Sequence, residues 1–296
     1  MKKKYVSMLK LEERTAYVFL IPWILGMLIF FAFPFLTSLW LGFTNSRLLV
    51  GSFIGLENYV RMFTRDPNFA SSLLVTSRYA LIGVPLKLCF ALALALLLKK
   101  GSTGFRTAYY APSLIGGSIA VAVMWRQLFS REGVISQVAS LFGVAPRAWL
   151  GTPGFALNIL IILAVWQFGS SMVIFIAGLK NIPNELYEAA KIDGAGPFSC
   201  FRRITLPMLS SVIQFNLVLQ LIGGFQVFTQ GFVITQGGPM GETLFTVILI
   251  YQEAFGGTMR IGYASAMSWI LFLLIAVVTG LVFLSSRFWV FYANEG

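Results

Sequence analysis

The chain has 296 residues, of which 57% are hydrophobic and only 11% charged, with a formal net charge of +11. A soluble domain carries about 25% charged residues, so this composition excludes a soluble enzyme or binding module and defines an integral membrane protein. The apolar runs are long and continuous, not alternating, which favours helices over a transmembrane barrel, because lipid offers no partner to an unpaired backbone group.

Six segments reach the roughly 20 residues that one crossing needs: Ala16–Phe43, Ser72–Leu98, Thr107–Phe129, Phe155–Leu179, Leu206–Thr235 and Tyr263–Arg287. The first follows Lys2, Lys3 and Lys4 as a signal peptide would, but it exceeds a signal core of about 7–15 residues and no small-residue cleavage site follows cleanly. It reads as a retained span. Between the first two spans, Leu56, Tyr59, Val60 and Phe63 share one side at helical spacing, which predicts a short interfacial helix. The second span holds Arg78, Lys87 and Cys89. Cys200 lies far off in a loop, so the two cysteines make neither a disulfide framework nor a metal site.

The third span follows "KKGSTGFR" and carries Pro112 and Gly116–Gly117, which allow a kink and close helix contacts, with Trp125 and Arg126 near its outer end. A turn-rich loop, Ser130–Gly154, leads to the fourth span, which holds Asn158, Trp166, Gln167, Ser170 and Ser171. The fifth carries Gln214, Asn216, Gln220, Gln226 and Gln230. Such neutral amides and indoles serve either interhelical hydrogen bonds or the hydroxyls and apolar faces of a sugar. After the turn Gly237–Gly238–Pro239, Leu244–Phe255 is apolar but too short to cross, and reads as a re-entrant or outer-leaflet helix.

Lys and Arg set the orientation. With the N-terminus in the cytoplasm, thirteen fall on inner segments, six on outer segments and three inside spans. The positive charge is spread over short loops, which argues against a nucleic-acid partner. All eleven Asp and Glu residues lie outside the six apolar cores and there is no histidine. A proton relay through the membrane has no group to run on. No filter-like loop, catalytic cluster or phosphate-binding glycine loop is present either. Uphill transport would then take its energy from a partner.

The longest polar stretch, "ELYEAAKIDGAGPFSCFRRITLP", lies between the fourth and fifth spans. Asn184 is placed to cap a helix with Glu185 in its first turn, and Asp193–Gly194 to stop it. Pro197 suits the first turn of a second helix, and Pro207 precedes the span. On physical grounds alone the unit is either a capped linker or a docking knob.

Its residues carry a resemblance. Glu188-Ala189-Ala190, Gly194, Ile204, Leu206 and Pro207 resemble the EAA motif of binding-protein-dependent ABC importer permeases. "GLENYVRMF", "YYAPSLIGGSIAVAVMW", "AGLKNIPNELYEAAKIDGA", "TQGGP" and "GYASAMS" are similar to the sugar-permease branch, of maltose and multiple-sugar type, over nearly the whole chain. The resemblance implies an all-α polytopic membrane bundle of six transmembrane helices, the type I importer permease (MetI-like) fold. It implies a cytoplasmic segment 1–15, one permease domain 16–287 with the EAA loop at 180–207, and a cytoplasmic tail 288–296. The chain would be a transport subunit and not an enzyme, in a bacterial cytoplasmic membrane, with both termini cytoplasmic.

By the same resemblance, Glu188, Ala189, Ala190, Asp193, Gly194 and Ala195 would dock on a cytoplasmic ATPase. Trp166, Gln167, Ser170, Gly223, Gly224 and Val227 match positions lining the family's mid-membrane sugar site. Gln220 and Gln226 join them on chemistry. No catalytic residue, metal or cofactor is expected on this chain, and ATP and Mg would sit on two copies of the ATPase. Further partners would be a second homologous permease and an extracytoplasmic sugar-binding protein. A glycerol-phosphate permease is the alternative, kept open by Arg78 and Lys87. A stand-alone facilitator or channel would not need the knob.

Overall fold

The computed structural model describes residues 2–47, 50–99, 101, 104, 119–257 and 259–291, with side chains from Thr15 onward. Among these the structure is helical, and the only extended pairings are two isolated bridges, Thr44 with Phe53 and Arg47 with Val50. Five helices are long and apolar enough to cross a membrane: Thr15–Leu41, Pro67–Leu98, Ala156–Lys180, Pro197–Phe225 and Ile261–Ser286. The third expected span is described only from Ile119, as Ile119–Leu128. Its first half, with Pro112, Gly116 and Gly117, lies outside the described residues, as do Lys100, Arg106 and residues 292–296 of the expected tail. The chain forms two compact units.

The first unit runs to Arg61 and takes up again from Glu253 to Trp269. Its helices are α1 (Lys2–Met27) and α2 (Phe33–Leu41), joined by a π-helical turn at Leu28–Ala32. The turn has a cause in the sequence. Pro34 has no N–H for the carbonyl of Phe30 and its ring crowds that carbonyl. The wider turn, in which the Phe33 N–H donates to Leu28 O, makes room without ending the helix. Because α1 starts at Lys2, no break marks the expected boundary at residue 15.

Helix α3 (Glu57–Thr64) is the expected short helix; Val60 and Phe63 on it, and Leu56 just before it, are exposed. On its inner side Asn58 Nδ2 donates to Gly42 O at 2.9 Å and Thr44 O at 2.8 Å, which ties α3 to the end of α2. Gly262, near the start of the last helix (Ile261–Ser286), is sterically required, since a Cβ there would collide with the Thr44 carbonyl. Arg260 grips Glu253 through two parallel bonds, Nε to Oε2 at 2.6 Å and Nη2 to Oε1 at 2.7 Å.

The second unit runs Met62–Gln252 and continues from Ile270. It holds α4 (Pro67–Leu98), α5 (Ile119–Leu128), α6 (Val134–Leu141), α7 (Ala156–Trp166), α8 (Gly169–Lys180), α9 (Asn184–Ile192), α10 (Pro197–Cys200), α11 (Leu206–Phe225) and most of α12 (Thr246–Phe255). Helix α4 starts at Pro67 under an Asp66 cap, whose carboxylate accepts from the N–H groups of Asn68 and Phe69. It packs against α7, α8 and α11 and so forms the centre of the unit. Ala91, Met172, Phe175, Leu179, Leu209 and Phe225 are buried together around its second half. Helix α6 occupies the loop read from sequence as only a turn-rich connection.

The fifth span departs from expectation at both ends. Helix α10, a π-helical turn at Phe201–Thr205 and α11 are continuous, so the helix begins at Pro197 and not at Leu206. Pro207 stands to this turn as Pro34 does to the first: the N–H of Leu206 donates to Phe201 O, and the carbonyl of Arg203 is spared a clash. The helix then stops at Phe225, not Thr235, and the chain re-forms only a π-helical turn at Gly231–Thr235.

Helices α8 and α11 meet at Gly178, where a Cβ would lie 2.7 Å from Leu209 Cδ1 and 3.0 Å from Val212 Cγ2. Close approach through a glycine is how membrane helices gain packing that lipid cannot supply. Gly178→Leu is therefore expected to destabilise this contact by about 1–3 kcal/mol, the usual range for overpacking. A fall in the thermal unfolding midpoint of the detergent-solubilised protein measures it, with Gly280→Leu, where nothing lies within 4 Å, as the control that should not move.

Candidate functional site

Two places concentrate the expected functional residues. The first is the turn after α9. That helix ends in a complete glycine C-cap. Gly194 takes φ +73°, its N–H donates to Lys191 O at 3.0 Å, and the Ala195 N–H donates to Ala190 O at 2.8 Å. This is the paired bond pattern that closes a helix with a left-handed residue, and it fixes the angle between α9 and α10. The start is different from expectation: Pro183 holds the N-cap position, no side chain caps the helix, and Asn184 is its first residue. Glu188, Ala189, Asp193 and Gly194 are exposed, Ala190 and Ala195 half-buried. Ile192 is 87% exposed and Phe198 75%, so the turn presents apolar side chains beside its acids. That combination is suited to contact with another protein.

The back of α9 is anchored. The Tyr187 ring lies under Lys99, with Nζ 4.6 Å from its centroid, and its hydroxyl is 2.9 Å from Thr205 Oγ1. One side chain thus joins α9 to the end of α4 and to the π-helical turn that runs into α11. Through Tyr187, α9 touches the turn that leads into the fifth span directly.

The second place is a cavity of about 300 Å³. It forms where two spans break. The fourth span interrupts at Gln167, between α7 and α8, and the fifth at Gln226, after α11. Broken backbone at membrane depth is tolerated where it faces protein or a cavity. A glutamine stands at each break, and Gln230 Nε2 donates to Gln167 Oε1 across the gap at 3.4 Å. Helix α4 forms the facing wall with Tyr79, Gly83 and Lys87, one residue per turn along a single stripe.

Of the residues singled out in the sequence, Gln167, Gln220, Gly223, Gly224, Gln226 and Val227 line this cavity. Trp166 does not; it packs on Trp125 with ring centroids 5.9 Å apart. Ser170 is exposed elsewhere in the first turn of α8. Asn216 serves packing, its Nδ2 donating to Ser171 O at 3.1 Å. The two glycines differ in kind. A Cβ on Gly224 would meet Val84 Cγ2 at 3.1 Å, whereas one on Gly223 would meet nothing within 4 Å. The site choice from sequence omitted the α4 stripe and Gln230. The 79–83–87 spacing was the available signal.

Helices throughout the described residues, five of them long and apolar enough to cross a membrane, with a polar cavity at two interrupted spans and an anchored surface turn, define a multi-pass helical membrane protein. Comparison with known proteins makes this specific. The family model described as "Binding-protein-dependent transport system inner membrane component" matches residues 79–290. The chain is 44% identical over 291 residues to the probable ABC transporter permease protein YesP of Bacillus subtilis, covering 96% of this chain and 94% of that one. It is 31% identical to the lactose transport system permease protein LacF of Rhizobium radiobacter, covering 95% and 97%. It is also 31% identical to the arabinooligosaccharides transport system permease protein AraP of Bacillus subtilis, covering 90% and 87%. Among solved structures, a chain from the crystal structure of a bacterial alginate ABC transporter in complex with an alginate pentasaccharide-bound periplasmic protein shares the fold with a TM-score of 0.79 at 22% identity, covering 93% of this chain and 95% of that one. The chain belongs to the binding-protein-dependent transport system inner membrane component family.

The glycine pair gives a direct check on the cavity. Gly223→Leu should leave the thermal midpoint of the purified protein unchanged, because its side chain enters open space. Gly224→Leu should lower it by forcing α11 away from α4. Equal destabilisation by both would mean that the cavity is not there.

Proposed function

We propose that the chain is one permease subunit of an ATP-driven importer for a carbohydrate, an oligosaccharide in particular, delivered by an extracytoplasmic binding protein. The observation that carries this reading is the cavity itself: Gln167, Gln220, Gln226 and Gln230 surround it and no carboxylate is among its lining residues. Four neutral amides offer paired donors and acceptors, the chemistry of a polyhydroxylated ligand. Relatives named for lactose, arabinooligosaccharides and trehalose/maltose, each matched over about nine-tenths of this chain or more, support it.

In this reading Glu188, Ala189, Ala190, Asp193, Gly194 and Ala195 form the coupling knob that enters a cleft of the cytoplasmic ATPase. Two ATPase copies carry ATP and Mg, and this chain carries neither. Their closure moves α9, and the Tyr187 anchor passes the movement to α4 and α11. At about 300 Å³ the cavity is at the lower limit of small-molecule sites, which supports a second homologous permease supplying the rest of the path. Excess Lys and Arg on the inner segments favours cytoplasmic termini in a bacterial cytoplasmic membrane. A phosphate-bearing polyol is the second reading, favoured by Lys87 in the cavity wall.

Glu188→Lys reverses a charge on the exposed knob, and Gly194→Pro denies the turn its left-handed residue and a backbone donor. Uptake of the native substrate should fall at least tenfold in each, with the amount of protein in the membrane unchanged. Normal uptake in both would remove the knob from the mechanism.

A further inference from the structure

Among the described residues the cavity lining carries one formal charge, Lys87, and no group of opposite charge. Lys87 lies on the α4 stripe, eleven residues before the helix ends at Leu98. That is roughly 16 Å along the axis at ~1.5 Å per residue, about half of a hydrocarbon layer ~30 Å thick. A lysine near a helix end escapes to water by extending its stem, but from this depth the route along α4 is too long. The other polar lining residues, Tyr79, Gln167, Gln220, Gln226, Thr229 and Gln230, are all neutral. Among the described residues Lys87 makes no ion pair or hydrogen bond; the ion pair found there, Glu253–Arg260, belongs to the first unit. An ammonium held at membrane depth without a counter-charge is costly, and such groups mark a substrate path.

We infer that the transported saccharide is acidic and that Lys87 pairs with its anionic group during passage. This rests on the carbohydrate reading given above and narrows it. Charge decides which anion. A phosphate monoester carries close to two negative charges, and one ammonium, a point charge, leaves about one of them unbalanced. The second cation of this span, Arg78, is exposed and does not line the cavity. A single ammonium matches a single carboxylate. The amides at the two breaks and the Tyr79 hydroxyl then serve the sugar hydroxyls around it. The substrate class is an oligosaccharide bearing a uronic acid, and Lys87 is its charge-selecting residue.

The test is uptake by the intact importer in its native host, for the wild-type chain, Lys87→Gln and Lys87→Arg. The probes are labelled di- to tetrasaccharides containing galacturonate, mannuronate or glucuronate, each beside its carboxyl-reduced neutral counterpart, together with glycerol 3-phosphate. Membrane abundance of the assembled complex is measured for every variant. The wild type should take up at least one acidic probe tenfold faster than its neutral counterpart. Lys87→Gln should reduce that preference about 10- to 100-fold, the range expected for losing a hydrogen bond to a charged group, and Lys87→Arg should keep most of it. If the neutral member is preferred, or if Lys87→Gln slows both members alike, Lys87 is a structural cation and the inference fails while the carbohydrate reading stands. Uptake of glycerol 3-phosphate with no saccharide taken up would overturn both.

Discussion

Every feature of this protein answers to one constraint: in hydrocarbon, a backbone N–H or C=O must find its partner within the protein. The rule makes the described residues helical and explains how two prolines are carried inside long helices. At Pro34 and Pro207 the helix continues past the ring. It widens by one residue into a π-helical turn, and the i−4 carbonyl is relieved of the ring. The rule is relaxed at Gln167 and Gln226, and both breaks face the same cavity. A membrane protein that interrupts two spans at one place has given up helix bonds there for a polar interior. The amide side chains supply some of the hydrogen-bonding capacity that the backbone loses.

The second organising feature is mechanical. Helix α9 is short and bears exposed apolar and acidic groups, yet it is not loosely attached. Its C-terminus is locked by the Gly194 cap, and its inner face is pinned by Tyr187 to Lys99 and Thr205. Thr205 belongs to the π-helical turn that leads into α11, and α11 ends at the Gln226 break. One continuous helical path therefore joins the exposed turn to the cavity. The close seat of α11 on α8 at Gly178 and on α4 at Gly224 keeps that path stiff.

Much of this was legible in the sequence, for physical reasons that differ by element. Span positions came from apolar length, and the five long helices fall within a few residues of it except at the fifth, where Pro207 misleads. Proline ordinarily ends or begins a helix, and nothing in the local sequence announces a π-helical turn that absorbs it. The glycine stop at Gly194 is readable because a glycine at a helix end readily takes the left-handed conformation that closes it. Asn184 was misread as a cap because Pro183 takes the capping position itself. In the cavity the amides of the fifth span are visible as a set, whereas Trp166 and Ser170, which chemistry and positional likeness both suggest, do not line it. Trp166 packs on Trp125 and Ser170 is exposed, on either side of the helix break at Gln167 across which a simple helical register does not carry. Lys87 was seen but not placed, since its role depends on what the other helices leave unpaired around it.

The central claim is that α9 and α11 move as one body, so that a displacement at the exposed turn reaches the cavity undiminished. It can be tested by pulsed electron-paramagnetic distance measurement in the assembled transporter. Spin labels replace the exposed residues Ile192 and Leu219, in a chain whose Cys89 and Cys200 have been changed to serine. The account predicts that the 192–219 distance keeps the same mean, within about the 1–2 Å of ordinary helix shifts, in the resting state and with ATP trapped on the ATPase that the proposed function calls for. A change of several ångströms between those states would show that α9 swings free of the fifth span and would contradict the account.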